Sequence, residues 1–290
     1  IRRPPRSTLD RSSAASDVYK RQGLFQMKDN LVELAAEFLV QSRLEGGATS
    51  TLPNELVPET ELDGYAVQAV IHQILQKAGY GRLVGHKIGC TTKVMQKFLN
   101  IDYPCAGEIF DTTVFEKTTI LPRSKFHRVG IECEIAARLK TDMMGTLGPY
   151  TIESAKDAVG ALMGAIELVD DRYENYSNLS APTLIADDFF NAGAVLGEEN
   201  LDWRGLDLKT IVGTLFIDKQ EHSRGVGADI LGDPMTALAW LANHRAGLGK
   251  PLRNGDFVLL GSVTQTVFIE EATFIEVEFD GLSKASIELI

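Results

Sequence analysis

Val129-Gly130-Ile131-Glu132-Cys133-Glu134-Ile135-Ala136 alternates apolar and acidic residues, the period-two pattern of a strand. Val129, Ile131, Cys133 and Ile135 fall on one face, which leaves Glu132 and Glu134 side by side on the other. Taken alone, such a pair reads as a solvated strand face. The other reading is a metal site, since neighbouring anions repel unless something positive sits between them, and hard oxygen ligands suit Mg²⁺ or Mn²⁺. A third carboxylate follows in Ala165-Ile166-Glu167-Leu168-Val169-Asp170, where Glu167 is flanked by apolar residues.

Working outward, strand patterns dominate the later part of the chain and helical ones the beginning. Leu31, Leu34, Ala35, Phe38 and Leu39 keep helical spacing over residues 28–43, and Gly46-Gly47 ends that helix. A second helix is expected over 61–78, burying Val67, Val70, Ile71, Ile74 and Leu75, with Gly79 beyond its end. Residues 83–89 form a short glycine-bounded strand carrying Lys87, and 93–99 a helical turn. The pattern predicts a helix over 152–163 leading into the Glu167 segment. Residues 215–217 and 221–224, around Asp218-Lys219-Gln220, predict a hairpin. Asp233-Pro234 opens the clearest helix, with a capping side chain and proline at its first position, and Trp240 falls on its apolar face. Residues 257–260, 274–279 and 285–290 read as strands. The sum is an α+β chain with a substantial mixed sheet.

Residues 1–22 have no hydrophobic period, four arginines before Ser12, and the pair Pro4-Pro5. They resemble translated adapter DNA rather than protein, a basic disordered tail being the alternative, and they lack the apolar core of a signal peptide. The native start is expected at Met27, and deleting the tail is expected to leave melting temperature and activity unchanged. The tail holds six of the 29 basic and two of the 40 acidic residues, leaving 23 basic against 38 acidic. Such a surface argues against nucleic acid and anionic membranes as partners. No apolar run approaches a membrane span. Cys90, Cys105 and Cys133 are odd in number and lack metal-site spacing, so they read as buried thiols in a reducing cytoplasm.

Gly85-His86-Lys87-Ile88-Gly89-Cys90-Thr91-Thr92 resembles the Gly-x-Lys-Ile-Gly-x-Thr-Ser signature of the 2-keto-4-pentenoate hydratase and 2-oxo-3-enedioate (4-oxalocrotonate) decarboxylase family, part of the fumarylacetoacetate hydrolase superfamily. Further motifs match in order and spacing: Glu132-Cys133-Glu134-Ile135-Ala136, the segment from Ala165 to Arg172, Gly232-Asp233-Pro234 running to Asn243, and Leu252-Arg253-Asn254-Gly255-Asp256 running to Gly261-Ser262-Val263-Thr264. The resemblance covers residues from about 28 to 290. It implies a mixed β-sheet roll over 83–290 with a helical N-terminal part over 23–82.

The resemblance further implies that Glu132, Glu134 and Glu167 bind one Mg²⁺ or Mn²⁺, and three carboxylates do leave room for waters and two substrate oxygens. It places Lys87 at the metal, where an ammonium would stabilise enolate charge or relay a proton. Asp111 matches the aspartate closing the family's Pro-x-x-Gly-x-x-x-Asp segment, although Cys105 and Thr112 stand where many relatives have acids. Ser262 and Thr264 are candidates to bind the substrate carboxylate, with a plain turn as the other reading, and Asp170 and Arg172 to orient the ligands or simply pair with one another. His86 points the opposite way from Lys87 and reads as structural.

The activity implied is hydration of a 2-hydroxy-2,4-dienoate to a 4-hydroxy-2-oxo acid, in catabolism of aromatic or related compounds. Decarboxylation of a 2-oxo-3-enedioate is the alternative, with Arg138, Arg172 and Lys93 as candidates for its second carboxylate; C–C bond hydrolysis of an acylpyruvate lacks an identifiable His–Glu pair. The protein is expected to take a small 2-oxo or 2-hydroxy acid and to form a homo-oligomer, or to associate with a related hydratase or decarboxylase subunit as a weakly active partner. A nucleophile elbow and a dinucleotide fingerprint are both absent.

Overall fold

The computed structural model describes residues 27–46, 51–146 and 148–290. The tail of residues 1–22 lies outside them. Six α-helices are described: α1 (Asp29–Glu45), α2 (Glu61–Leu75), α3 (Lys93–Phe98), α4 (Ile152–Ala158), α5 (Ala181–Ala186) and α6 (Pro234–Gly247). The strands are β1 (Leu83–Gly89), β2 (Cys105–Phe110), β3 (Val114–Glu116), β4 (Thr118–Leu121), β5 (Val129–Leu139), β6 (Val159–Asp170), β7 (Asn191–Leu196), β8 (Val212–Ile217), β9 (Gln220–Val226), β10 (Phe257–Ser262), β11 (Val267–Phe268), β12 (Thr273–Phe279) and β13 (Ala285–Leu289).

They form two mixed sheets. The larger runs β2-β1-β10-β5-β6-β7-β3, with β11 added to β5, and the smaller runs β4-β13-β12-β8-β9. Pairs β1–β10, β3–β7 and β4–β13 are parallel and the other pairs antiparallel. The arrangement is α+β, as the patterning anticipates. The inner face of the large sheet (Ile131, Ile135, Ile166, Val195) shares one core with Leu215, Ile275, Val277 and Ile287 of the small sheet and with Met235, Leu238 and Leu241 of α6. Helices α1 and α2 pack a separate apolar cluster against Phe110, Tyr173 and Ala186.

Burial fixes the register of β5. Ile131, Cys133 and Ile135 are fully buried, and each aliphatic side chain buried this way contributes about 1.5–3 kcal/mol. A one-residue slip would turn all three to the wrong face together with the glutamates.

The helix expected over 152–163 is corrected. Helix α4, opened by a Thr151 capping box, ends at Ala158 and the chain enters β6 at Val159. The run Val159-Gly160-Ala161-Leu162-Met163-Gly164 is apolar on both faces, so its periodicity does not distinguish helix from buried strand. Packing decides: a Cβ at residue 164 would lie 2.3 Å from the Ser283 carbonyl oxygen, so glycine lets the sheets approach there. The hairpin forms as β8–β9, and α6 begins on an Asp233 side chain that accepts from the Met235 amide. Trp240 stacks on His244 with centroids 5.1 Å apart.

Candidate metal and active site

In the β5–β6 ladder, Glu132 sits directly opposite Glu167 and Glu134 opposite Ala165. Directly opposed residues have Cβ atoms about 5 Å apart, which brings the three carboxylates onto one face. One carboxylate oxygen from each lies within 4.8 Å of the others. Lys87 joins them through the ladder: it pairs with Leu259 of β10, which pairs with Ala136 of β5, two residues from Glu134 on the same face. Its Nζ reaches Glu167 Oε1 at 3.2 Å and is buried. His86 turns the other way, with Nε2 3.4 Å from Asp256 Oδ2.

Each glutamate is held through one oxygen by a different donor. Thr266 Oγ1 donates to Glu132 Oε1, the Gly261 amide to Glu134 Oε2 at 2.7 Å, and Asn191 Nδ2 to Glu167 Oε1 at 3.1 Å. Glu167 Oε2 is buried with no protein partner. Burial pushes the Glu134 carboxyl well up, and the charges of Glu167 and Glu132 push it further against the Gly261 amide and Lys87. Glu167 is pushed up to about 7, by burial and Glu132, although Lys87 and Asn191 pull it down. Burial would lower the Lys87 ammonium, but the three glutamates outweigh it and hold it protonated. Three ionised carboxylates against one ammonium leave two negative charges, which one divalent cation would neutralise. The donor set, all hard oxygen with one orphaned buried atom, fits Mg²⁺ or Mn²⁺.

Two strand irregularities supply two of these donors, Gly261 and Asn191. Between Leu259↔Ala136 and Ser262↔Glu134 the β10 side carries one extra residue, and there Gly261, at φ 132°, aims its amide at Glu134. Between Leu168↔Gly193 and Val169↔Asn191 the β7 side carries another. Val169 shares the face of Glu167, so this bulge puts Asn191 on the carboxylate face, where an unbroken ladder would put Ala192. Asn191 follows three consecutive non-glycine residues at positive φ: Asp188 (53°), Phe189 (49°) and Phe190 (64°). Each such residue costs on the order of 1 kcal/mol or more. Phe189 is buried with its ring centroid 5.7 Å from Lys87 Nζ. A Cβ at residue 107 would meet Lys87 Cγ at 3.0 Å and the Asp188 carbonyl at 3.2 Å, so Gly107 is the gap through which the lysine passes the turn.

The other expected site residues lie elsewhere. Asp111 is not brought to the carboxylates. Gly107 is the β2 residue opposite Lys87, and four residues of strand put Asp111 about 13 Å further on. There it accepts from the Arg82 amide at 3.1 Å and faces the Arg82 guanidinium. Asp170 and Arg172 touch none of the three glutamates in the bonds they make, and they do not pair side chain to side chain: Asp170 Oδ1 accepts from the Arg128 amide, while Arg172 Nη2 pairs with Asp187. Asp170, the last residue of β6 and paired with Val129, points to the face opposite Glu167, and Arg172 lies beyond the end of the strand. The Ser262 hydroxyl is taken by the Cys133 backbone, whereas Thr264 Oγ1 is buried without a protein partner. Arg138 pairs with Glu199, and Lys93 with Gln96. The three cysteines are free and buried.

Sequence reading misses Asn191, Phe189, Thr266 and Gly261. The nearest signal is Asp187-Asp188, two acids together at a helix end with no basic neighbour in sequence, which calls for distant cations. They are Arg43 and Arg172 on Asp187, and His72 on Asp188 at 2.8 Å. His72 Nδ1 also lies 3.3 Å from Glu108, which Arg245 grips with both terminal nitrogens at 2.9 Å. Burial would lower the His72 pKa, but Asp188 and Glu108 outweigh it and raise it to about 9. A raised histidine contributes stability fully below its unfolded value near 6.5, and that stability is lost as pH rises through 9. At about 1.4 kcal/mol per unit the loss is on the order of 3 kcal/mol. Urea midpoints should therefore fall between pH 6.5 and 9.5, and fall much less in His72→Gln; parallel curves for the two proteins would refute the assignment.

The chain is similar to known proteins over most of its length. Residues 108–288 match the fumarylacetoacetate (FAA) hydrolase C-terminal family. Over 254 residues it is 33% identical to 2-keto-4-pentenoate hydratase of Burkholderia vietnamiensis (strain G4 / LMG 22486), covering 88% of this chain and 95% of that protein. It is 30% identical over 234 residues to 2-oxo-hept-4-ene-1,7-dioate hydratase of Escherichia coli, covering 79% and 86%. The fold superimposes with a TM-score of 0.85 on 4-oxalocrotonate decarboxylase from Pseudomonas putida G7 complexed with magnesium and adipate, at 24% identity, over 92% of this chain and all of that one.

Proposed function

Because the chain belongs to the fumarylacetoacetate hydrolase family, we propose that it is a divalent-cation-dependent hydratase that converts a 2-hydroxy-2,4-dienoate to a 4-hydroxy-2-oxo acid. The observation that carries this reading is the buried trio Glu132, Glu134 and Glu167 with the Lys87 ammonium on Glu167. In this reading the three glutamates hold Mg²⁺ or Mn²⁺, which when bound supplies Lewis-acid polarisation of the substrate's C1 and C2 oxygens. A proton leaves the C2 hydroxyl and one is gained at C5, giving the 2-oxo-3-enoate; water then adds its oxygen at C4 and a proton at C3.

The chain's residues have defined parts in this sequence. Lys87, charged and desolvated, stabilises the negative charge that develops on the C2 oxygen. Phe189 covers the lysine and keeps bulk water from it. Thr264 Oγ1 is available to the substrate carboxylate. Asp111 has no part here, and its place beside Arg82 supports a structural role. Among the described residues no helix is long and apolar enough to cross a membrane. The buried free thiols fit a reducing cytoplasm. Val94, Met95 and Phe98 expose an apolar side of α3 that suits assembly into a homo-oligomer.

The test is turnover by the purified protein with Mg²⁺ or Mn²⁺ on a panel of dienoates and enedioates, following ultraviolet loss and CO₂ release. Dienoate absorbance should disappear without CO₂. Release of CO₂ from an enedioate would replace hydration with decarboxylation, and turnover only on adding a second subunit would assign a partner role.

A further inference from the structure

The turn before β7 is held from outside. Asp187 is pinned by Arg43 of α1 and by Arg172 just after β6, and Asp188 by His72 of α2 and the Glu108 amide of β2. Four separate parts of the chain thus converge on two adjacent carboxylates. The left-handed run Asp188–Phe190 begins at the second of them, and no glycine eases it. The run ends at the β7 bulge, and the bulge decides which face Asn191 occupies. Backbone held in unfavourable conformations by surrounding groups concentrates at functional sites. Here the product of that arrangement is a single contact, Asn191 Nδ2 to Glu167 Oε1, on the oxygen that Lys87 also holds. The other oxygen of Glu167 has no protein partner.

We propose that the clamped turn 187–190 is a positioning device for the metal centre: it fixes the Asn191 amide on Glu167 Oε1, and so presents Oε2 to the cation. Asn191 is then a positioning residue acting through Glu167, and Arg172 one acting through Asn191. The inference rests on the reading of the three glutamates as metal ligands. Groups that orient a ligand from behind affect metal affinity by about 10–100-fold.

Mn²⁺ is titrated calorimetrically into the full chain with no substrate present. The wild type should bind one ion, Asn191→Ala should bind it about 10–100-fold more weakly, and Arg172→Met several-fold more weakly. The double variant should be no weaker than Asn191→Ala alone, because both substitutions remove the same contact. A merely structural role would lower melting temperature and leave affinity unchanged. Where Arg172→Met does not fold, Asp187→Asn, which keeps the shape and removes the charge, takes its place. Affinity of folded Asn191→Ala within twofold of wild type, or losses that add in the double variant, would overturn the positioning role. A wild type that binds no Mn²⁺ overturns the metal reading itself, and the inference with it.

Discussion

Lys87→Ala is expected to lower turnover by roughly 10²–10⁴-fold, the range for removing a group that transfers a proton or stabilises oxyanion charge. Metal affinity should change little, because the three glutamates keep their other donors from Thr266, Gly261 and Asn191. Lys87→Arg should rescue poorly. A guanidinium is planar and wider than an ammonium, and the passage is already tight: a Cβ at residue 89 would stand 3.3 Å from Nζ, and one at 107 would stand 3.0 Å from Cγ. Initial rates at saturating Mn²⁺ decide the matter. Near-normal turnover of the alanine variant would assign Lys87 to folding alone.

Glu134→Gln should have the larger effect on metal and an opposite effect on the metal-free protein. The substitution keeps the shape but removes one of three charges, so it should cost about 10³-fold in turnover, several kcal/mol of lost charge stabilisation. Without metal, however, Glu134 is a buried carboxylate pushed up by its environment and by Glu167 and Glu132. A carboxyl with a raised folded value opposes folding once pH exceeds its unfolded value. The metal-free variant should therefore melt higher than metal-free wild type at pH 8, and Mg²⁺ should raise the melting temperature of wild type far more than that of the variant. Calorimetric melts with Mg²⁺ and with a chelator check both halves. A variant that melts lower than wild type in chelator would contradict the electrostatic account.

The alternating stretch around Glu132 and Glu134 was legible because a strand with one buried face can place its side chains in only one way. Strand β1 and its lysine were legible for the same reason, with glycines at positions 85 and 89 marking a close approach. Glu167 became a partner of Glu132 only through the β5–β6 register, which residue patterns do not encode. The stretch 159–163 failed because an apolar run without alternation satisfies both a helix and a buried strand. The surroundings of Arg172 and Asp111 were not legible because each stands just past a strand end, where the chain turns and period two no longer fixes direction, while Asp170 lies on the face of β6 opposite Glu167. Asn191 was invisible for a different reason. Its face depends on an extra residue in the ladder and on a turn held by cations up to 144 positions away in sequence.

The two bulged positions also separate substitutions from changes in chain length. A residue exchanged at Leu260 or Ala192 alters one side chain; a residue removed there would leave a regular ladder in which Ser262 still pairs with Glu134 and Asn191 with Val169, but would remove the local bend that each bulge makes. Gly261 would lose the backbone turn at φ 132° that aims its amide at Glu134, and Asn191 would lose the offset from which its amide meets Glu167 Oε1. A change of chain length at these two points therefore disturbs the donors to Glu134 and Glu167 more than an exchange of side chain does. Any grafting of β7 or β10 between related proteins has to carry the strand together with its extra residue.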